Sequence, residues 1–273
     1  MNPSSFRAAA VQLRSTEDLH ANLRRAEHWI RRAVDDGANF VALPENFAWL
    51  RIEPGAAAPA QDLDGEVVGT MAALAKELSI HLLLGSIPER SNVPGKTHNT
   101  SVWLAPTGQV LASYRKLHLF DIELVGQESH KESASIEAGS DAVVVKTDLA
   151  CFGLSICYDL RFPELYRRLV DAGAQCLTVP AAFTLSTGKD HWHVLLRARA
   201  IENQSWVIAP GQWGHHGGAR RSYGHSVIID PWGAVVADCS DGEGFALARI
   251  HLSKVEEVRA QLPALCHRRR DVF

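Results

Sequence analysis

The sequence predicts a mixed α/β fold in which strands are covered by helices, held in one domain spanning residues 1–273. Three observations carry that prediction. Short apolar runs alternate with segments whose apolar residues recur at helical spacing. The last third is rich in strand-like runs: Trp206–Ile208, His225–Ile229, Ala234–Ala237 and Phe245–Ile250. No repeat, linker or composition break divides the 273 residues, of which 46% are hydrophobic, enough to bury most of their apolar surface in one or two cores.

The elements follow in order. Ala8–Leu13 is a short apolar strand, and Ser15 or Thr16 is placed to cap the helix whose apolar face is Leu19, Leu23, Ala26, Ile30 and Ala33. Gly37 stands where a helix C′ residue belongs. Phe40–Leu43 is a buried strand ended by Pro44, and residues 51–64, rich in Ala, Pro and Gly, read as a loop. A helix over Glu66–Leu78 shows Val67, Met71, Leu74 and Leu78 on one face, and strand His81–Gly85 follows. Ser101–Leu104 and Val110–Ser113 flank Pro106-Thr107-Gly108 and form a predicted hairpin. Residues 121–141 are polar and irregular, and a loop of that length in a compact domain is commonly functional. Further strands are expected at Val143–Val145, Phe152–Ile156 and Cys176–Val179. Pro163 opens one helix that stops before Gly173, and His191–Asn203 is another. A helix near Lys254–Gln261 precedes a basic tail.

Composition excludes several classes. Charged residues make up a moderate 22%, and Trp, Phe, Leu and Val are plentiful, which argues against disorder. A net charge of -3 removes the cheapest argument for nucleic acid, a strongly basic face. Met1–Ser5 has neither a basic start nor an apolar run, and no stretch approaches the roughly 18 apolar residues of a membrane span. A soluble, cytoplasmic protein with no nucleic-acid or membrane partner is the expectation. The five cysteines form no C-x-x-C pair and their number is odd, so neither a disulfide framework nor a Cys-rich zinc site is expected. Asn99-Thr100-Ser101 and Asn203-Gln204-Ser205 match the glycosylation pattern but carry no meaning without secretion. His191/His193 and His215/His216 lack a third ligand at metal spacing, and no metal is expected. Arg268–Arg270 beside Asp271 reads as a solvated or dimer-facing tail, and Trp192, Trp206, Trp213 and Trp232 read as core or rim packing.

Three residues could carry chemistry. Cys157 ends an apolar strand where Tyr158–Glu164 turns into a helix. Such an elbow exposes a rigidly held nucleophile, aims backbone N–H groups at a developing oxyanion and favours the thiolate. Its local alternative is a buried structural cysteine, the reading given to Cys151, Cys176, Cys239 and Cys266. Glu45 closes a buried strand through Leu43-Pro44-Glu45-Asn46, where α/β active sites gather, and partial burial would raise its pKa towards general-base work. Lys116, in Arg115-Lys116-Leu117-His118, would lower a nearby thiol pKa and neutralise an oxyanion; its alternative is a solvated edge-strand lysine.

Taken together and in order, Leu-Pro-Glu-Asn, Arg-Lys-Leu-His and Cys-Tyr-Asp-Leu-Arg-Phe-Pro-Glu resemble the signature of the nitrilase superfamily of carbon–nitrogen hydrolases. The resemblance extends from Ala10-Val11-Gln12 through His191-Trp192, Leu196–Asn203, Tyr223–Ser226 and Asp230–Gly233 to the end of the chain. It implies a four-layer α-β-β-α sandwich, a homodimer or higher homo-oligomer, and hydrolysis without a cofactor. It implies Cys157 as nucleophile, Glu45 as general base and Lys116 as stabiliser of the tetrahedral intermediate. Glu132 is implied as a second glutamate that positions substrate or holds Lys116, with Glu128 and Glu137 nearby in the same loop, and the Tyr158 N–H as an oxyanion donor.

The stretches Cys157–Leu165 and His191–Arg199 are most similar to the branch acting on deaminated glutathione and on ω-amides, and Arg221–Ser226 and His267–Asp271 tilt the resemblance towards the members acting on deaminated glutathione. The implied substrate is a small carboxylate-bearing amide. A basic pocket is then expected from Arg161, Arg220, Arg221 and Lys189, with Arg161, Phe183, Thr184 and His191 as candidate substrate contacts. Deaminated glutathione is the leading expectation, and ω-amidase chemistry on α-ketoglutaramate, N-carbamoyl amino acid hydrolysis, nitrilase chemistry and a non-catalytic scaffold on the same fold are the alternatives.

Overall fold

The computed structural model describes residues 4–53, 55–123 and 129–272. Along them run β1 (Ser5–Gln12), α1 (Leu19–Asp35), β2 (Phe40–Ala42), α2 (Glu66–Leu78), β3 (His81–Arg90), β4 (Thr97–Leu104) and β5 (Val110–Arg115). A short pair, β6 (Asp121–Glu123) and β7 (Ser129–Lys131), precedes β8 (Val144–Lys146), β9 (Cys151–Leu154), α3 (Pro163–Asp171), β10 (Cys176–Thr178) and α4 (Leu185–Asn203). Then come β11 (Trp206–Ala209), β12 (Trp213–Gly217), β13 (Arg220–Tyr223), β14 (Val227–Ile229), β15 (Val235–Asp238), β16 (Gly244–His251) and α5 (Ser253–Gln261).

Two six-stranded sheets result, ordered β16-β1-β2-β3-β4-β5 and β15-β14-β11-β10-β9-β8. In each, the three central strands are parallel and the flanking ones antiparallel. Parallel neighbours need a crossover, and α1, α2, α3 and α4 supply them. The predicted hairpin is β4–β5.

Each helix buries the stripe its spacing shows. Leu23, Ala26, Ile30 and Ala33 of α1 and Val67, Met71 and Leu74 of α2 pack with Val11, Leu82 and Leu84 on the first sheet. Leu165 and Leu169 of α3 and Trp192 and Leu196 of α4 cover the second. Between the sheets, Phe40 stacks on Trp103 at 4.7 Å, and Trp103 meets Phe152 of the opposite sheet at 4.5 Å. Such aromatic pairs add about 0.5–1.5 kcal/mol each beyond area burial. The layers are therefore helix, sheet, sheet, helix, as expected.

Several boundaries differ from the sequence reading: β3 runs on to Arg90, β4 starts at Thr97, the 121–141 segment holds β6, β7 and a 3₁₀ turn at Glu132–Ala134, and the β12–β13 pair was not expected. Two further differences have local causes. Asp18, not Ser15 or Thr16, caps α1, accepting from Ala21 N–H at 2.9 Å; Ser15 instead donates to the Phe47 carbonyl at 2.8 Å. Helix α4 begins at Leu185, well before His191, although Ser186–Asp190 lack an apolar stripe. Gly188 sits against Tyr223 so closely that a Cβ would lie 2.3 Å from the tyrosine's own, so contact rather than propensity sets this turn. Among the described residues, no helix is long and apolar enough to cross a membrane.

Candidate active site

The C-terminal ends of the parallel strands converge, which is where ligands bind in α/β sheets. Glu45 follows β2, and Gly85 of β3 passes so near Leu43 that a Cβ would lie 2.0 Å from its carbonyl oxygen. That close approach holds the Leu43-Pro44-Glu45 turn. Asn46, at φ 56°, donates its N–H to Ser86 Oγ at 2.8 Å, and Gln212, beyond β11, donates to the Glu45 carbonyl at 3.0 Å.

Cys157 follows β9 at the first position of a 3₁₀ turn, Cys157–Arg161, that runs into Pro163 of α3. Its φ is 48°, a left-handed conformation that costs a non-glycine residue about 1–3 kcal/mol and aims the side chain away from the strand. The Cys157 N–H donates to the Pro180 carbonyl at 2.9 Å. Lys116 follows β5 and is buried rather than solvated, which removes the edge-strand reading.

These residues meet. Lys116 Nζ lies 2.9 Å from Glu45 Oε1 and 2.9 and 3.1 Å from the two oxygens of Glu132. Glu132 opens a 3₁₀ turn after β7, and its Oε2 also accepts from the Phe120 N–H at 2.6 Å. Of its two neighbours in the loop, Glu137 turns away to His98, at 3.4 Å from Nε2, while Glu128 lies outside the described residues. Asn99 of β4 was legible only as a glycosylation pattern; buried, it donates from Nδ2 to Glu45 at 2.9 Å and to Glu132 at 3.3 Å. The Ala182 N–H, past β10, donates to the other Glu45 oxygen at 2.8 Å.

Electrostatics decides the resting charges. Burial pushes the Glu45 carboxyl up, but the Lys116 ammonium and the hydrogen bonds outweigh it and hold the group below the usual carboxylate range. Burial likewise opposes the Lys116 charge, yet Glu132 and Glu45 raise its pKa well above the ordinary value. The Cys157 thiol is pushed well up, first by burial and then by Glu45, against the opposing pull of Lys116. Two sequence expectations are thereby corrected: the general-base candidate is lowered, not raised, and the thiol is raised, not lowered. Two anions around one cation leave a carboxylate–ammonium–thiol ground state.

The cavity over these groups measures about 1190 Å³ and is lined by Glu45, Lys116, Glu132, Cys157 and Tyr158. Arg51, Arg161, Lys189, Arg220 and Arg221 give its walls a positive bias, and Phe183 and Thr184 lie among them. Arg161 sits over the Phe183 ring at 5.3 Å. His191 is outside the lining and touches Arg161 at 3.3 Å through Nδ1. The remaining cysteines are unpaired, and Arg268 and Arg270 of the tail bind Asp171 at 2.7 and 2.8 Å.

The carbon–nitrogen hydrolase family model matches residues 7–260. A deaminated glutathione amidase of Synechocystis sp. is 45% identical over 266 residues, which is 96% of this chain and 98% of that one. An omega-amidase of Homo sapiens is 37% identical over 270 residues, 99% of this chain and 97% of its own. The crystal structure of the Caenorhabditis elegans NitFhit protein superposes with a TM-score of 0.92 at 40% identity, covering 100% of this chain and 67% of that one. With the two-sheet sandwich and the cavity at its strand ends, these matches establish that the chain belongs to the carbon–nitrogen hydrolase family.

Proposed function

We propose that the chain is an amidase that opens a linear amide of a small carboxylate-bearing substrate through a Cys157 thioester, with deaminated glutathione as the substrate. The observation that carries the mechanism is the buried Lys116 ammonium at 2.9 Å from both Glu45 and Glu132, beside the Cys157 thiol. The substrate reading is supported by the names of the relatives at 43–45% identity and by the cationic cavity wall.

In this reading the Glu45 carboxylate takes the thiol proton as sulfur attacks the amide carbon. Charge develops on the carbonyl oxygen and meets the Lys116 ammonium and the Tyr158 N–H, the latter at the start of a 3₁₀ turn where backbone donors lack intrahelical acceptors. Glu45 returns the proton to the leaving amine, the C–N bond breaks and a thioester remains. Water then gives a proton to Glu45, attacks the thioester carbon and releases the acid as the thiol is reprotonated. The glycine and keto-acid carboxylates of deaminated glutathione suit Arg161 and Arg221, whose guanidinium groups take carboxylates in bidentate fashion, with the Lys189 ammonium adding a point charge.

A second copy of the chain is the proposed partner. Val194 and Ile201 of α4, with Trp232, Val235 and Val236, are exposed apolar residues, and their burial would supply a dimer contact.

Steady-state kinetics on deaminated glutathione, α-ketoglutaramate, an N-carbamoyl amino acid and a nitrile test the substrate. The highest kcat/KM is expected for the first; a higher value for α-ketoglutaramate makes the chain an ω-amidase instead. Cys157→Ala is expected to abolish turnover with the fold intact, and retained turnover overturns the mechanism. Equal iodoacetamide labelling of all five cysteines would favour a non-catalytic scaffold.

A further inference from the structure

His193, His225 and Asp238 have no part in this chemistry, yet three separate elements bring them to one point. His193 is on α4, His225 follows β13 and Asp238 ends β15. Asp238 lies 3.0 Å from His193 Nε2 and 3.1 Å from His225 Nδ1, and one ligand atom from each residue falls within 4.8 Å of the others. The two imidazoles meet edge-on at 5.3 Å, and Tyr223 stacks on His225 at 4.6 Å. His225 holds φ at 54°, so its backbone is kept in a sparsely populated conformation that presents the ring to the other two. All three side chains are roughly a quarter to a third exposed, leaving solvent access.

We propose that His193, His225 and Asp238 bind one divalent first-row metal ion, with Zn²⁺ the best match. Two imidazole nitrogens and one carboxylate oxygen are a zinc donor set, with water completing a four-coordinate shell. Metal–ligand bonds of about 2.0–2.1 Å in a tetrahedron place ligand atoms roughly 3.3 Å apart. The two nitrogen–oxygen distances are already within a few tenths of an ångström of that. Each imidazole keeps its ring proton on the nitrogen turned away from the ion. Cys239, next in sequence, is not a ligand in this arrangement, because its sulfur lies against Gly244.

The ion would act on the cavity wall. Thr184, Leu185–Thr187 and Lys189 at the start of α4 and Arg220–Ser222 of β13 line the cavity. Tyr223, which stacks on the ligand His225, packs against Gly188 of that same helix turn. One metal therefore ties together α4, β13 and β15 and stiffens the wall that carries Lys189, Arg220 and Arg221.

The test uses the full chain, stripped with a chelator and dialysed. Zn²⁺ is titrated by calorimetry, Co²⁺ by visible absorption, and unfolding is followed with and without Zn²⁺. One equivalent per chain, the intense d–d bands of four-coordinate Co²⁺ and a Zn²⁺-dependent rise in Tm are expected. His193→Ala, Asp238→Asn and His225→Asn, the last keeping a residue that tolerates the left-handed backbone, are each expected to weaken binding by about 10-fold or more. If the aspartate merely bridges two imidazoles, the variants lower the metal-free Tm and Zn²⁺ has no effect. That result, an octahedral aqueous Co²⁺ spectrum in the unsubstituted chain, or binding that survives in the folded variants, overturns the proposal.

Discussion

The Tyr114 hydroxyl donates to Asp159 at 2.7 Å, joining the end of β5 in one sheet to the turn after β9 in the other. The same fully buried carboxylate accepts from His118 Nδ1 at 2.7 Å, from the His118 N–H at 3.1 Å and from the Ile156 N–H at 2.8 Å. Lys116 lies between Tyr114 and His118 in sequence, and Cys157 follows Ile156. Asp159 thus sets the spacing of ammonium and thiol without touching the substrate. In Asp159→Asn an amide NH₂ faces donors, and a loss of about 2–4 kcal/mol in stability is expected. A fall in kcat with KM nearly unchanged is expected beside it, from urea unfolding and steady-state kinetics. An unchanged kcat would make Asp159 purely structural.

Glu132 supplies two of the three carboxylate contacts to Lys116. Glu132→Gln removes the charge but retains an oxygen for the Phe120 N–H, so the loop stays anchored while the ammonium loses half of its counter-charge. A drop in kcat of about 10²-fold is expected, in the range of lost general electrostatic support, together with a loss of about 1–3 kcal/mol in stability, because the new amide NH₂ faces Lys116 Nζ and Asn99 Nδ2. Glu137→Gln, at a residue turned away to His98, is the control and should leave kcat within about two-fold.

Glu45 raises the Cys157 pKa while Lys116 lowers it. Burial, the largest cause of the raised pKa, persists when the carboxylate charge is removed, but the only charged partner left is Lys116, which lowers it. Glu45→Gln therefore separates nucleophile formation from catalysis. The pH midpoint for iodoacetamide alkylation of Cys157 should move down, while turnover falls by about 10²–10⁴-fold for want of a proton carrier. An upward shift of the alkylation midpoint would contradict the charge assignment.

Most strands and helices were legible because apolar spacing is local, the four layers came only from the resemblance, and the chain's three reactive residues stand in motifs with distinctive flanks. Asn99 and Asp159 were not legible in their roles, because each acts on residues distant in sequence: Asn99 on Glu45, 54 positions away on the same sheet, and Asp159 on His118, 41 positions away and after the other sheet's edge strand. A run of buried polar residues, Thr97–Ser101, inside a strand was the one available signal for Asn99. His193 and Asp238, 45 residues apart, meet only once α4 is packed beside β15. The resting charges escaped prediction for a related reason. A lysine beside one thiol lowers its pKa, but Lys116 is shared with two carboxylates, and that sharing is a property of the folded network.

His216 gives stability its pH dependence near neutrality. Buried, its Nδ1 lies 2.8 Å from the Ser15 carbonyl and so donates, which leaves Nε2 to accept from Ser222 Oγ at 2.9 Å. Burial, aided by Arg220 and Arg14, lowers its pKa from 6.5 to about 4. The unfolded chain binds a proton below about 6.5 that the folded chain refuses until about 4, so the unfolded state gains relative stability as pH falls through that window. The folded state should lose about 2–3 kcal/mol from this residue between pH 7.5 and 4.5, and nothing from it above pH 7.5. His216→Gln keeps a donor and an acceptor but does not titrate. Urea unfolding of both proteins at the two pH values subtracts every carboxylate they share. The wild-type chain should show the larger acid loss by that amount, and parallel pH profiles would refute a neutral, buried His216.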